Sequence, residues 1–330
     1  MILKVIVTLK KLFYTFGYNL YHFGFYVSFY KTIDIFTYHF PQSYIFTFVN
    51  DKKHKSIKKY LLKKYGQFIN SYLCISTDYI VKEVNQQYGN KNIWLCWWQG
   101  ENDLDGITKI CVNSIRVNAV DCNVIFITME NYTKYIEMPD FIIKKKEKGI
   151  ISLTEFSDIL RINLLNKYGG IWIDVTVLVT SILPHSYFEY EFFSCKEKAL
   201  SNVFVSDYRW ATHFMGGKRG HIIFDFVSKM FFEYWEKEEA LIDYFLFDYL
   251  IDIGYDLFEP IRKAIDKVPF NNPKKGEMVN NLNNFYDEKV YEKLTEDTLV
   301  FKLSRKTNYN DLTANSKITF YKYFSDKFSN

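Results

Sequence analysis

The stretch from Ser152 to Leu178 (SLTEFSDILRINLLNKYGGIWIDVTVL) constrains the fold more than any other part of the chain. Ser152 and Glu155 have the spacing of a capping box, which predicts that a helix begins there. The double glycine Gly169-Gly170 is typical of a helix end, where a residue with positive φ is favoured. The pattern therefore predicts one capped helix followed by a tight turn.

The β-branched and aromatic residues that follow, 171–178, predict a short buried strand. Asp174 is the one charged residue in this run, and Thr176 follows it two positions later. An ionised side chain in an apolar strand is costly unless something pairs with it. At the carboxyl end of a strand in an α/β sheet, the usual partner is a ligand, a metal or a basic side chain. An acid that binds loop amides at a strand end is the structural alternative.

Two charged residues of the preceding helix, Asp158 and Arg161, are spaced to share a face. A projection at 100° per residue places Arg161 roughly opposite the polar side of the helix, with Asp158 beside it. A surface salt bridge would lie on the polar side instead. The pair is therefore a candidate functional pair, and a structural ion pair that orders the helix is the alternative.

The segment FSDILRINLLNKYGGIWIDVT resembles the donor-site segment of the DXD-type sugar transferases. These include the family 32 glycosyltransferases and, more closely, the bacterial capsular polysaccharide synthesis proteins. The shared pattern is S-D, two apolar residues and R, then a helix to Y-G-G, then a strand to D-x-D or D-x-T. The resemblance runs from about Ile93 to about Lys306.

The resemblance implies an α/β, GT-A-like nucleotide-sugar-binding fold, with a mostly parallel central sheet flanked by helices. It implies that Asp158 and Arg161 hold the donor sugar and that Asp174 faces the ribose, the diphosphate or a metal. It also implies transfer with retention of the anomeric configuration. The other motif residues are donor-binding candidates: Ser157, Gly169 and Gly170.

A divalent cation, Mn²⁺ or Mg²⁺, is the cofactor that the resemblance implies, with Asp174 and Thr176 as its ligands. Thr176 stands where the motif has its second acid. A hydroxyl is a poorer ligand for a hard cation than a carboxylate is. Metal dependence is therefore open at this point, although the capsule-type relatives are similar in carrying Thr here.

A first buried strand is predicted at IWLCWW, and Gln99-Gly100 is the turn that leaves it. By resemblance, Trp97, Trp98 and Gln99 contact the base or the ribose, and Gly100 beside them is a further donor-binding candidate. Alternation along a strand sends the two tryptophans to opposite faces, so at least one is expected in the core. A helical pattern and a second strand (NVIFIT, 123–128) follow, which predicts a right-handed parallel βαβ unit.

Three further residues are candidates on weaker patterns. Lys302 and Arg305 lie in and just after a C-terminal strand and are predicted to clamp the diphosphate. Asp248 lies on a mostly aromatic helix and is predicted to reach the acceptor side of the cleft. A solubilising acid on an outer face is the alternative for Asp248.

The charge is unevenly distributed. Residues 1–64 carry eleven lysines against two aspartates, a net charge of +9, and the whole chain is +4, so the remainder is −5. Such a basic segment predicts attraction to anionic lipid or a polyanionic partner, and no nucleic-acid motif accompanies it. Residues 12–30 lack charged side chains but are rich in tyrosine, which favours an interfacial or partly buried helix over a spanning one.

The chain is therefore divided into a helical, basic and aromatic extension (1–90) and a glycosyltransferase domain (91–330). Five cysteines without a C-x-x-C pair indicate reduced thiols in a cytoplasmic protein. We expect a hexosyl- or N-acetylhexosaminyl-transferase that acts at the inner face of the cytoplasmic membrane. Its substrates would be a nucleotide-sugar and an oligosaccharide or lipid-linked saccharide of a surface polysaccharide. A silent nucleotide-sugar-binding subunit and a membrane-associated scaffold are the alternatives.

Overall fold

A computed structural model describes residues 2–37, 40, 43–79, 91–198 and 204–329, with side chains outside 2–9, 11 and 74–79. The predicted domain boundary at residue 90 lies outside these residues. The helices are α1 (Ile2–Phe23), α2 (Phe25–Thr37), α3 (Tyr44–Tyr79), α4 (Gly106–Asn118), α5 (Asp140–Glu147), α6 (Leu153–Tyr168), α7 (Ile222–Lys237), α8 (Leu246–Leu257), α9 (Glu259–Asp266), α10 (Met278–Asn281), α11 (Glu288–Thr295) and α12 (Phe320–Lys327). The strands are β1 (Asn92–Cys96), β2 (Asn123–Ile127), β3 (Gly170–Ile173), β4 (Val177–Val179), β5 (Phe192–Ser194), β6 (Phe214–Gly217) and β7 (Val300–Lys302).

The central sheet has the strand order β2-β1-β3-β6-β5. Strand β1 is parallel to both β2 and β3, whereas β6 is antiparallel to its neighbours β3 and β5. Four of the five strands therefore point the same way, and helices flank the sheet. The predicted α/β fold, with a mostly parallel sheet and an N-terminal helical extension, is confirmed.

The strand order reverses at β1. Strands β2 and β3 lie on either side of it, and α4 connects β1 to β2 as the βαβ pattern predicted. In open α/β sheets a crevice opens beyond the carboxyl ends of the strands at such a reversal. Here it lies beyond the ends of β1 and β3.

Helix α6 begins and ends as the sequence predicts. Ser152 and Glu155 form a full capping box, and the helix ends at Gly169, whose φ is +68°. Its apolar residues are buried, and it packs against β1, β3 and α7. Arg161 lies on the side of the helix opposite the polar residues and is buried with the apolar ones.

The predicted strand 171–178 is wrong in one respect, because it is two strands in two sheets. Strand β3 ends at Ile173, and after a turn β4 pairs with β7 in a separate antiparallel sheet. The backbone N–H of Asp174 donates to the carbonyl of His213 at 2.9 Å, and Val177 N–H donates back to the carbonyl of Asp174 at 2.9 Å. The turn leaves the Asp174 side chain just beyond the carboxyl end of β3, on the same side as Trp172.

The N-terminal helices pack onto the body through α3. One face of α3 is apolar, and its residues Ile57, Leu61 and Tyr65 are fully buried in the core that contains β1 and β3. Helix α3 contacts α7 and α8, and α2 packs between α1 and α3. Among the residues the structure describes, we find no helix with the length and hydropathy needed to span a bilayer.

Part of the basic charge of α3 is used inside the molecule. Lys58 binds Asp252 and Asp256 of α8, and Lys64 lies 2.6 Å from Glu238. The positive segment and the negative body therefore attract each other directly, which accounts for some of the charge asymmetry seen in the sequence.

Candidate donor site at the carboxyl ends of the parallel strands

A cavity of about 300 Å³ lies at the reversal of strand order. Eight of the residues singled out in the sequence line it: Trp97, Trp98, Gln99, Ser157, Arg161, Asp174, Thr176 and Arg305. They come from the segments after β1 and β3, from α6 and from the segment after β7. The structure therefore brings together residues that are more than 200 positions apart in the chain.

Arg161 connects the two acids of the motif. Its Nη2 lies 3.2 Å from Asp158 Oδ1 and 3.3 Å from Asp174 Oδ1. Its Nη1 donates to the carbonyl of Thr212 at 2.7 Å, and its guanidinium lies 4.8 Å from the centre of the Trp172 ring. These contacts fix the plane of a guanidinium that reaches the cavity from a buried helix face.

Asp174 is held ionised by its neighbours. Its Oδ1 accepts a hydrogen bond from Trp172 Nε1 at 2.9 Å, and its Oδ2 lies 2.7 Å from Lys302 Nζ. Burial alone would raise the pKa of Asp174, but Lys302 and Arg161 together hold that pKa well below its usual range. Opposite charges within hydrogen-bond reach favour the charged form.

The pKa values of Asp158 and Asp248 are raised, whereas that of Asp174 is lowered. Burial raises the pKa of Asp158 to about 7, against the attraction of Arg161. Burial likewise raises the pKa of Asp248 to about 6, although Trp210 Nε1 donates to its Oδ1 at 2.8 Å. The site thus contains one firmly ionised carboxyl and two whose protonation changes near neutral pH.

A second cavity, of about 350 Å³, is lined by Lys302, whose partner Asp174 lines the first cavity. Asp248 and His213 also line the second cavity. Its aromatic walls are formed by Phe204, Tyr208, Trp210 and Phe245. Asp248 therefore faces a cavity and does not lie on an outer face of its helix.

The two tryptophans after β1 differ in their surroundings. Trp98 is mostly buried and donates to Ser157 Oγ at 2.7 Å. Trp97 lies beneath the guanidinium of Arg305, 4.5 Å from ring centre to Cζ. The buried nitrogens Trp97 Nε1 and Arg161 Nε have no hydrogen-bond partner within the described residues. Unpaired buried donors in a cavity wall leave hydrogen bonds for a polar ligand.

The structure does not bring Gly169 and Gly170, assigned to donor binding by resemblance, to the cavity. Both lie at the amino end of β3, whereas the cavity lies beyond its carboxyl end. A Cβ on Gly170 would lie 2.4 Å from the carbonyl oxygen of Asn92, and one on Gly169 would lie 2.7 Å from the backbone nitrogen of Arg219. The double glycine therefore permits close backbone packing. Gly100 has a φ of +104° in the turn after Gln99 and does not line the cavity.

The residues expected to hold a divalent cation fit one poorly. Lys302 Nζ lies 2.7 Å from Asp174 Oδ2 and 2.6 Å from Thr176 Oγ1, so both ligand oxygens already face an ammonium group. Within the described ranges, no three His, Cys, Asp or Glu side chains form a group that could hold a metal. A divalent cation usually needs more oxygen ligands than Asp174 and Thr176 supply.

Three contributors to the site were missed in the sequence. Trp172 is two positions before Asp174, and period-2 alternation could have placed both on one side of β3. Trp210 and His213 both precede β6. The pairing of β6 with β3 brings His213 to Asp174, and Trp210 donates to Asp248. No local pattern indicates that pairing. Burial lowers the pKa of His213 to about 3.

The chain was compared with family models, with curated proteins and with solved structures. No curated protein matches the sequence. A solved structure described as "PaToxG Glycosyltransferase" aligns with 13% sequence identity over 76% of this chain and 99% of that chain, with a TM-score of 0.35. A TM-score this low carries no argument about the fold or the activity.

The family model described as "Capsular polysaccharide synthesis protein" matches residues 35–324. The match covers most of the chain and is wider than the predicted resemblance, because it includes part of α2 and all of α3. The chain belongs to the capsular polysaccharide synthesis protein family.

Proposed function

We propose that this protein is a glycosyltransferase that moves a hexosyl or N-acetylhexosaminyl group from a nucleotide-sugar to a growing capsular or other surface polysaccharide. Family membership supports a role in making such a polymer. The observation that carries the proposal is the ionised Asp174 between Arg161 and Lys302 at the mouth of the strand-order crevice. Two fixed cations at a ligand-sized cavity suit a leaving group that becomes more negative.

The donor would occupy the 300 Å³ cavity, which is within the usual size range of small-molecule sites. Its base would stack at the Trp97–Arg305 pair. Gln99 and Ser157 supply further polar groups along the same wall. The diphosphate would lie beside Asp174, where Arg161 and Lys302 meet.

The reaction would break the bond between the anomeric carbon and the β-phosphate oxygen, and the electron pair would stay on that oxygen. Arg161 and Lys302 would stabilise the resulting charge. Asp158 would accept hydrogen bonds from sugar hydroxyls and stabilise positive charge at the anomeric carbon. We further propose that the anomeric configuration is retained, which nuclear magnetic resonance of the first-formed product would test.

The acceptor would occupy the 350 Å³ cavity. Its aromatic walls suit the apolar faces of sugar rings, and Asp248 and His213 offer hydrogen-bond acceptors for hydroxyl groups. The Lys302–Asp174 pair lies between the two cavities, so donor and acceptor would meet there.

A thermal-shift screen against a panel of nucleotide-sugars, with and without Mn²⁺, would identify the donor. Turnover of that donor, as transfer or hydrolysis, would then be measured for the wild type, Asp174→Asn and Asp121→Asn. Asp121 is an exposed acid with φ +57°, a conformation that Asn tolerates, so it is a matched control. We expect turnover to be lost in Asp174→Asn alone. Equal turnover in all three would remove the catalytic role of Asp174, and binding without turnover would favour a silent binding subunit.

We also propose that the N-terminal helices contact the cytoplasmic face of the membrane. Among the described residues between 13 and 48, thirteen large apolar side chains are exposed, including Phe13 and Tyr21 at 77% and 86% exposure. Exposed aromatic rings beside lysines are typical of interfacial helices. Because α3 uses several of its lysines internally, the aromatic side chains would contribute most of the binding.

Sedimentation with vesicles of zwitterionic lipid, with and without anionic lipid, would test this contact. We expect the wild type to sediment more strongly with anionic vesicles and the double variant Phe13→Ser, Tyr21→Ser to stay in solution. Phe270→Ser, which removes a 60% exposed ring from the body, is the control. Equal sedimentation of the double variant and of Phe270→Ser would contradict the proposal. If neither the wild type nor either variant sedimented with vesicles, the proposal would also be wrong.

A further inference from the structure

Lys302 occupies the position between Asp174 and Thr176. The register of the small sheet pairs Lys302 with Val177, and the Leu303 N–H donates to the Thr176 carbonyl at 2.8 Å. These backbone contacts direct the lysine stem toward the turn after β3. The ammonium then lies 2.7 Å from Asp174 Oδ2 and 2.6 Å from Thr176 Oγ1.

These contacts leave Asp174 little capacity for a metal ion. Its Oδ1 already accepts from Trp172 at 2.9 Å and faces Arg161 at 3.3 Å, while its Oδ2 faces Lys302. A cation that displaced Lys302 would separate a salt bridge in which the lysine and aspartate side chains are only 35% and 26% exposed. It would also place a divalent charge beside the ammonium that it displaced, which is repulsive at short range.

We propose that the Lys302 ammonium is the cation of this site, so that donor binding and sugar transfer need no divalent metal. The inference rests on the proposed transferase function and deepens it. In the reaction, the anomeric carbon–oxygen bond breaks with its electron pair on the β-phosphate oxygen. The acceptor hydroxyl forms the new bond, and its proton leaves to the released diphosphate. Lys302 stabilises the diphosphate throughout and is not consumed.

The arrangement also explains how Thr176 can stand in place of a second acid. With Lys302 as the cation, the Asp174 carboxylate balances the charge of the Lys302 ammonium. The Thr176 hydroxyl oxygen accepts a second hydrogen bond from the same ammonium. A second carboxylate would add an unbalanced negative charge beside the diphosphate and weaken its binding. Arg161 and Lys302 balance Asp158 and Asp174 when both acids are ionised, so the site adds no net negative charge beside the leaving group.

Binding of nucleoside diphosphates, measured by calorimetry with chelator or with Mn²⁺, tests the inference directly. The proteins are the wild type, Lys302→Met, which keeps the stem and removes the charge, and Lys289→Met, which removes an exposed lysine of α11. Thermal unfolding of each variant establishes that it is folded. A parallel titration follows free Mn²⁺ by electron paramagnetic resonance, with and without the best-bound nucleoside diphosphate.

We expect the wild type and Lys289→Met to bind a nucleoside diphosphate equally well in chelator and in Mn²⁺. Lys302→Met should bind it roughly 10- to 100-fold more weakly, as expected for the loss of a charge-assisted hydrogen bond. Adding the wild type should not lower the signal of free Mn²⁺ below the level measured without protein in the same buffer. Wild-type binding that requires Mn²⁺, or unchanged affinity in folded Lys302→Met, would overturn the inference while leaving the transferase proposal intact. Failure of the wild type to bind any nucleoside diphosphate in either buffer would overturn both.

Discussion

Replacing Arg161 with methionine removes the guanidinium from the centre of the site and keeps most of the apolar stem. The Arg161 side chain is only 7% exposed, and the change leaves the Thr212 carbonyl without its 2.7 Å donor. Removing one partner of a buried ion pair costs about 3–5 kcal/mol. Two responses reduce that cost, because Asp158 can take up a proton and Asp174 keeps its contact with Lys302. We therefore expect a net loss of about 3 kcal/mol.

Urea unfolding followed by tryptophan fluorescence, together with thermal unfolding, would measure this loss. For a domain of this size, about 3 kcal/mol corresponds to a decrease in Tm of roughly 6–12 °C. The matched control is Arg116→Met, which breaks a pair with Glu101 whose side chains are 40% and 45% exposed. Exposed pairs contribute about 0–1 kcal/mol. Because Asp158→Asn removes the same contact, the double variant should lose less stability than the two single losses added together.

A loss in Arg161→Met within about 1 kcal/mol of that in Arg116→Met would refute the reasoning. It would mean that water solvates Asp158 and Asp174 well enough to replace the guanidinium. In that case the two acids would not form a preorganised electrostatic site, and Arg161 would have only a packing role.

Further predictions concern Asp158, Gly170 and Asp248. The pKa of about 7 at Asp158 predicts that kcat/KM rises as the pH passes through about 7 and that Asp158→Asn abolishes this rise. The same rise in Asp158→Asn would contradict the prediction. The raised pKa of Asp158 stabilises the folded state below about pH 4, and this stabilisation is lost as the pH rises to about 7. Asp158→Asn should therefore flatten the fall in the urea midpoint between these pH values. A fall in the variant that is parallel to that in the wild type would count against it. Gly170→Ala, with φ +92° and a Cβ 2.4 Å from a carbonyl oxygen, should cost about 2–4 kcal/mol in urea unfolding. Gly149→Ala, with φ +72° and open space, should cost only about 1 kcal/mol, and equal losses would contradict the packing argument. Asp248→Asn should raise the KM for acceptor and leave nucleoside diphosphate affinity unchanged, and the reverse result would place Asp248 at the donor.

Features that depend on residues close in sequence were predictable. The capping box of α6 needs only Ser152 and Glu155 three positions apart, and helical periodicity places Arg161 on the buried side. The parallel βαβ unit follows from the order of strand, helix and strand. In these cases local spacing determines the geometry.

Features that depend on tertiary pairing were not predictable in detail. The residues after Asp174 are β-branched and favour an unbroken strand, yet the pairing of β4 with β7 and the hydrogen bond to His213 end β3 at Ile173. The resemblance assigned Gly169 and Gly170 to the donor-binding site. A sequence motif does not distinguish residues needed for backbone packing from residues that contact a ligand. Lys302 was placed at the site, but its position between Asp174 and Thr176 depends on the strand register.

The separation of Asp174 and Lys302 by 128 residues has a consequence for the order of synthesis. At about 5–20 residues per second, a ribosome adds the lysine roughly 6–26 s after the aspartate. During that interval the nascent chain can complete the five-stranded sheet, whose last strand in the sequence is β6, but it cannot yet neutralise the carboxylate with Lys302. A truncated product that ends before β7 would therefore keep the crevice and lack the ammonium, and we expect premature termination there to yield inert protein.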